Sequence, residues 1–303
     1  MTAILTPEDW LLQRTIAPAR DQARDLRRNL AEASLTADLV LLARDAASTL
    51  GRHLLTIRHG WPGGTSPFQR ILVADLGSTD GTRGIAEEGG AVFLPPDSPR
   101  ATSLAPAADG DGLVRAIAAS DSDILLVLPA DLTRIDLDGI AAIVDTFRLF
   151  PSLLLSQGFR DGSGCALSRH LARPLLSTLL PELGLLADPA CPVLALRRNA
   201  FVAPPIARTS GYEASLVVEA WKQGGLESLA QVRLARLERV ARDDADDGSS
   251  FRCALALLES LRRSRRLSTP QEFGHISSTL VDQPSGTLLA KAHLEVFPWN
   301  NPL

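Results

Sequence analysis

The sequence predicts an α/β fold: a mostly parallel sheet with helices on both faces, followed by a C-terminal helical and extended segment. Three observations carry this. The runs "ADLVLLA" (37–43), "RILVAD" (70–75) and "DILLVLP" (123–129) are short and almost wholly apolar, as strands covered on both faces must be. Helical patterns separate them, giving the order β-α-β-α-β-α-β. Turn-forming residues, "LGSTDGT" above all, follow the strands where a parallel sheet would place its ligands.

Taken in order, residues 7–33 read as a helical segment, with Trp10, Leu11, Leu12, Ile16 and Leu26 set among charges. The first apolar strand follows, and "RDAASTLGRHLLTIRHG" reads as a helix closed by Gly60. "WPGGTSPF" is a turn-rich connector. Strand 70–75 then opens through "LGSTDGT" into the helix "RGIAEEGG", and "AVFLPP" (91–96) adds a strand. A proline-punctuated stretch leads to the helix "LVRAIAAS" and strand 123–129. Beyond residue 139, "GIAAIVDTFRLF" is a helix and "LLLSQGF" a strand. "SRHLARPLLSTLLPEL" is a long helix ended by Gly184, and "PVLALRRNAF" is a strand. "GYEASLVVEAWKQG" is helical, "LAQVRLARLERVA" extended, and "SFRCALALLESLRRSRRL" an amphipathic helix. The expected organisation is an N-terminal helical segment (1–33), a main domain (34–267) and a polar tail (268–303).

Composition narrows the function. The 303 residues carry a net charge of −4 with 45% hydrophobic residues, which leaves no electrostatic footprint for nucleic acid or an anionic membrane. No apolar run approaches the ~20 residues of a membrane span, and no signal-peptide pattern opens the chain, so a soluble, cytoplasmic protein is expected. Lys222 and Lys291 are the only lysines, a skew that points to a GC-rich bacterial genome. Cys165, Cys191 and Cys253 lack CxxC or Cys/His spacing and read as reduced thiols. His53, His59 and His170 fall on helices or their ends and read as surface or capping residues. "DDADDG" (243–248) lacks the ligand spacing of an EF-hand and reads as a solvated loop.

The sharpest local motif is "DLGSTDGT". A strand ending in Asp and opening into small residues frees N–H groups and hydroxyls for a nucleotide, with Asp75, Ser78, Thr79 and Asp80 as contacts. A helix N-cap explains the same letters. Fifty residues on, a second buried strand ends Pro129-Ala130-Asp131.

Together with "LARPLLSTLLPELG" (171–184) and "GYEASLVVEAWKQGGLESLAQVRL" (211–234), these motifs resemble the glucosyl-3-phosphoglycerate synthase family over residues 34 to 267. The resemblance implies a GT-A (Rossmann-like) fold, a homodimer that the apolar face of residues 251–261 could seat, and retaining transfer of glucose from a nucleotide donor such as UDP- or GDP-glucose to 3-phosphoglycerate or a related acceptor, aided by Mg²⁺. At the family's chemical positions this chain departs from the pattern. "LARDAA" (42–47) stands for the nucleoside loop, Asp109 for a diphosphate lysine, and Pro129-Ala130-Asp131 for Asp-Ser-Asp, leaving Asp131 as a residual metal ligand. Arg239 stands for a metal-site histidine, Cys191-Pro192-Val193-Leu194 for the acceptor loop, and Ala166-Leu167-Ser168-Arg169 for a phosphate-holding stretch. Asp121-Ser122-Asp123 has the right letters but precedes its strand, at the wrong end of the sheet. Two readings follow. In one, a glycosyltransferase works weakly or without metal, with Arg239 as the cation and Glu213 orienting a substrate as the candidate catalytic residues. In the other, the protein is a silent binding module in which Asp131 and Arg239 form an ion pair. The absence of GxGxxG argues against an unrelated dinucleotide enzyme.

Overall fold

The computed structural model describes residues 6–96, 109–160, 165–204, 206–208, 211–235, 237–240, 249–263, 280–282 and 287–290. The chain divides into two compact units, residues 1–261 and 262–303. The first is built on an eight-stranded sheet. In chain order its elements are α1 (Pro7–Arg14), β1 (Thr15–Ile16), α2 (Gln22–Glu32), β2 (Ala37–Ala43), α3 (Ala47–His59), β3 (Ile71–Asp75), α4 (Thr82–Glu88), β4 (Val92–Leu94), α5 (Asp109–Ala119) and β5 (Ile124–Pro129). There follow α6 (Leu137–Leu149), β6 (Leu155–Phe159), a π-helical turn (Ser168–Ala172), α7 (Arg173–Leu179), a 3₁₀ turn (Pro181–Leu185), β7 (Leu194–Arg197), α8 (Tyr212–Gly224), β8 (Leu229–Arg233) and α9 (Ser249–Arg263). In the second unit, β9 (Leu280–Asp282) pairs antiparallel with β10 (Thr287–Ala290).

Strand order in the main sheet is β1-β8-β6-β7-β5-β2-β3-β4. Only β7 is antiparallel to its neighbours β5 and β6. The carboxyl ends of β2, β3, β5, β6 and β8 therefore share one edge with the amino end of β7, and that edge holds the candidate site. Every residue of β2 is buried because both faces are covered. Leu39, Leu41, Val73, Leu126 and Leu128 pack with α2, α3 and α6 side chains such as Leu26, Leu54 and Phe147. On the other face α5 lies so close that a Cβ on Gly112 would meet the side chains of Leu76, Leu42 and Ala74 at 2.8, 3.0 and 3.5 Å.

Three expectations are corrected here. Residues 7–33 do not form one helix: Thr15 and Ile16 leave it to pair parallel with Gln231 and Val232 of β8. The cause is local, since β-branched residues suit a strand and Pro18 cannot continue a helix. Trp10, wholly buried, fastens α1 by donating to the Leu226 and Leu229 carbonyls at 2.9 and 3.1 Å. The helix expected to reach Gly184 stops at Leu179, because Leu180 precedes a proline and turns extended (φ −138°, ψ 77°). Finally, the apolar face of α9 is already covered: Cys253, Leu257 and Leu261 are fully buried within the single chain and are not available to a second copy. Among the described residues no helix is long and apolar enough to cross a membrane.

Candidate functional site

Both acidic loops lie on the carboxyl edge. After β3, the Asp75 carboxylate accepts from the Gly77 and Ser78 amides at 3.1 Å. Ser78 Oγ accepts from the Asp45 amide at 2.9 Å, and the Thr79 amide donates to Asp45 Oδ1 at 2.7 Å. Asp80 accepts from the Ala47 amide at 2.9 Å and from the Thr82 amide at 3.0 Å. Burial opposes the charge on Asp80, but the hydrogen bond from the Thr82 hydroxyl, with these amides, outweighs it and holds the carboxyl below its usual range. The four residues expected to meet a nucleotide are thus brought together, with their polar atoms tying the β3 loop to the β2 loop. The helix after the motif, α4, has Gly81 at its N-cap with no side-chain cap bond, so loop-to-loop bonds rather than an N-cap account for Ser78 and Thr79.

The turn after β5 is fixed from two sides. Thr49 Oγ1 of α3 donates to the Ala130 carbonyl at 2.6 Å. From the other side, residues 238–240 pair with it: Thr133 N donates to the Glu238 carbonyl and Val240 N to the Asp131 carbonyl, both at 2.8 Å. This pairing lays the Arg239 guanidinium on the Asp131 carboxylate as a two-point fork, Nε to Oδ1 at 2.8 Å and Nη2 to Oδ2 at 2.9 Å. The side chains are 49% and 12% exposed. Burial lowers the basicity of Arg239, but its bonds to Asp131 and the charges of Asp131, Asp109 and Glu213 more than reverse that. The ion pair inferred from the sequence is present.

Beside the fork is a cavity of about 280 Å³ whose charged lining is Asp109, Arg160, Asp188, Glu213 and Arg239. Glu213 enters from the first turn of α8, after Gly211 in the left-handed region (φ 92°). It is 8% exposed, and Oε2 has no hydrogen-bond partner among the described residues. Burial, then the charge of Asp109, push its carboxyl up to about 8, against smaller pulls from the Glu213 amide and Arg239, with Asp188 adding least. Asp188 is also raised by burial; it accepts from Ser168 Oγ and, at 3.3 Å, from the Cys165 amide. Burial, then Asp188, push the Cys165 thiol up to about 11, which makes it a poor nucleophile at neutral pH. Asp75, Ser78, Thr79 and Asp80 are not in this lining.

Sequence reasoning missed Asp188 and Arg160. Asp188 lies in "ADPACPV", which carries no recognised spacing. His53 is a correction: rather than capping or facing solvent it is 1% exposed, and neither ring nitrogen has a partner among the described residues. Burial, then Arg52, holds its pKa below the usual value, with the Leu132 and Ala130 carbonyls and Asp131 acting the other way. Asp123, in the sequence decoy, accepts from the Thr36 amide at the amino end of β5, away from the site. Segment 243–248 lies outside the described residues.

A divalent ion does not fit the side chains at the end of β5. Pro129 and Ala130 offer no side-chain oxygen, both Asp131 oxygens receive Arg239, and no three His, Cys, Asp or Glu residues converge as a metal site among the described residues.

The sheet order, the lone antiparallel strand and the acidic turn after β5 define a GT-A fold, the α/β fold of nucleotide-sugar glycosyltransferases. The mannosyl-3-phosphoglycerate synthase of Rubrobacter xylanophilus superposes with a TM-score of 0.80 over 95% of each chain at 24% identity. The Mycobacterium tuberculosis glucosyl-3-phosphoglycerate synthase, solved with Mn²⁺, UDP and glucosyl-3-phosphoglycerate, superposes with a TM-score of 0.71 over 89% of this chain and 91% of that one, at 25% identity. No protein-family model matches the chain. In sequence the chain is similar to glucosyl-3-phosphoglycerate synthases. It is 28% identical to the Mycolicibacterium paratuberculosis enzyme over 271 residues, 84% of this chain and 80% of that protein. It is 26% identical to the Petrotoga mobilis enzyme over 198 residues, 61% of each.

Proposed function

We propose that this chain binds a nucleotide sugar, UDP- or GDP-glucose, and transfers the hexose slowly and without a divalent ion, Arg239 standing at the diphosphate. The Arg239 guanidinium, half exposed on the cavity wall beside Glu213, is the observation that carries this reading. A departing nucleoside diphosphate needs positive charge beside it. Guanidinium stays charged at all working pH values and suits phosphate oxygens. The fork uses two of its five N–H donors, and a side chain 49% exposed on a cavity wall leaves room for an anion to meet the others. Asp131 then acts as a positioning residue that aims the guanidinium.

The test is turnover of UDP-glucose and GDP-glucose with excess EDTA or with MnCl₂, in the wild type and Arg239→Ala. Equal turnover in EDTA and Mn²⁺ is expected. The variant should lose roughly 100-fold or more, the usual effect of removing one electrostatic stabiliser. Activity abolished by EDTA and restored by Mn²⁺ would discard the reading. A silent binding module is the second reading, favoured by the Arg239–Asp131 ion pair that it expects and by Asp109 on the same cavity wall, since a carboxylate repels a diphosphate. It predicts nucleotide binding with no turnover in either protein.

A further inference from the structure

We infer that the cavity between α2 and residues 61–67 is a binding site for a small phosphate monoester. It shares no residue with the cavity beside Glu213 and does not depend on the transferase reading.

One wall is a stripe of cations. Ala23, Leu26 and Leu30 bury the apolar side of α2. Arg24, Arg27 and Arg28, spaced i, i+3 and i+4, turn away from that side and are exposed, while the small Ala31 leaves room beside them. The facing wall comes from the loop after α3. Gly63 and Gly64, both left-handed (φ 93° and 72°), fold that loop back, and Gly64 N donates to the Trp61 carbonyl at 2.8 Å. Trp61 is 3% exposed and held edge-to-face on Phe68, with ring centroids 5.7 Å apart. Its Nε1 is buried without an acceptor among the described residues. Buried donors normally have partners, and an anion seated against the ring would supply one. The space between the walls is about 400 Å³, enough for a small metabolite, and no acid is among its described lining residues.

The charges select the ligand. Arg28 is shared with Asp25 at 2.9 Å and Glu32 at 3.7 Å, whereas Arg24 and Arg27 make no ion pair among the described residues. Arg24 and Arg27 are therefore the principal ligands. A guanidinium meets phosphate through two parallel N–H bonds. A phosphate monoester has three terminal oxygens and nearly two charges, so it accepts from both forks and relieves the repulsion between them. A carboxylate, with two oxygens and one charge, fills one fork. The adjoining cavity, which shares Ala23 and Pro62, is lined by Asp21, Asp136 and Asp138 as well as Arg134. Those acids hold the phosphate to the arginine side, and Pro62 and Pro67 face its carbon skeleton.

Site-resolved NMR on the ¹⁵N-labelled full chain tests the site. The chain has four tryptophans, so its indole N–H signals are few, and Trp61→Phe identifies the one that belongs to the cavity. Inorganic phosphate and glycerol 2-phosphate, compared with sodium chloride at equal ionic strength, should shift the Trp61 signal to saturation, the ester at least as tightly as phosphate. Arg24→Gln/Arg27→Gln should weaken both probes roughly tenfold or more, through loss of two charge-assisted contacts, and Arg27→Gln alone should fall between it and the wild type. Unmoved Trp10 and Trp221 signals will show that the variants keep the fold. Arg239→Ala should bind as the wild type does, because its guanidinium lines the other cavity. An unmoved Trp61 signal, an equal shift with chloride, an ester weaker than phosphate or undiminished binding in the double variant would overturn the assignment. So would tighter binding of a hexaglutamate peptide, which would make the surface a docking site for acidic chains.

Discussion

Glu213 binds its proton more tightly in the folded chain than in the unfolded one, where an ordinary carboxyl sits near 4.5, because α8 buries it and Asp109 and Asp188 repel its charge. The folded state therefore holds more protons than the unfolded state between pH 4.5 and about 8. By linkage, stability contributed at this position is full below 4.5 and is lost as pH rises through that interval. At about 1.4 kcal/mol for each tenfold change in proton affinity, the loss is on the order of 5 kcal/mol. Urea melts of the wild type at pH 5 and pH 9 should show it, and Glu213→Gln should remove most of the difference. A wild type equally stable at both pH values would mean that the carboxyl reaches solvent. Single residues were unevenly legible in the sequence. Arg239 and Asp131 lie 108 positions apart and were paired through family resemblance alone. The environment of Glu213 was invisible, because a buried acid and an exposed one are spelled the same way.

At the scale of elements, the apolar runs located β2, β3 and β5 because both faces of those strands are covered. Places where a proline or a β-branched pair interrupts a helical pattern were misread: β1 inside the N-terminal segment and the break at Leu180. How elements pack was not legible either, and Gly211 shows why. Its φ of 92° favours glycine, and a Cβ there would stand 2.5 Å from the Cα of Cys253, so the start of α8 rests against the backbone of α9. Gly211→Ala should cost about 2–4 kcal/mol through combined backbone strain and steric overlap. Gly84, in α4, has open space where its Cβ would go, so Gly84→Ala should be neutral or stabilising by up to about 1 kcal/mol. Equal losses in urea melts of the two variants would show that neither the φ nor the contact with α9 matters.

For the molecule as a whole, one rule made the position of the site legible: parallel strands present their loops together at their carboxyl ends. Asp75, Asp131 and Arg239 share that edge although no sequence spacing relates them. The rule says nothing about the end of the chain, where residues 262–303 form a compact unit of their own. The strands described there, β9 and β10, are three and four residues long and pair only with each other. Among the described residues that ladder has no third strand, and a two-stranded ladder is marginally stable in water, so the cooperative transition should belong to the unit built on the eight-stranded sheet. A chain ending after Arg263 keeps α9 whole, with Cys253, Leu257 and Leu261 buried. Its melting temperature should lie within about 3 °C of the full chain, the shift that roughly 1 kcal/mol produces in a domain of this size. A single transition more than about 6 °C lower would show that the last forty residues stabilise the sheet unit directly.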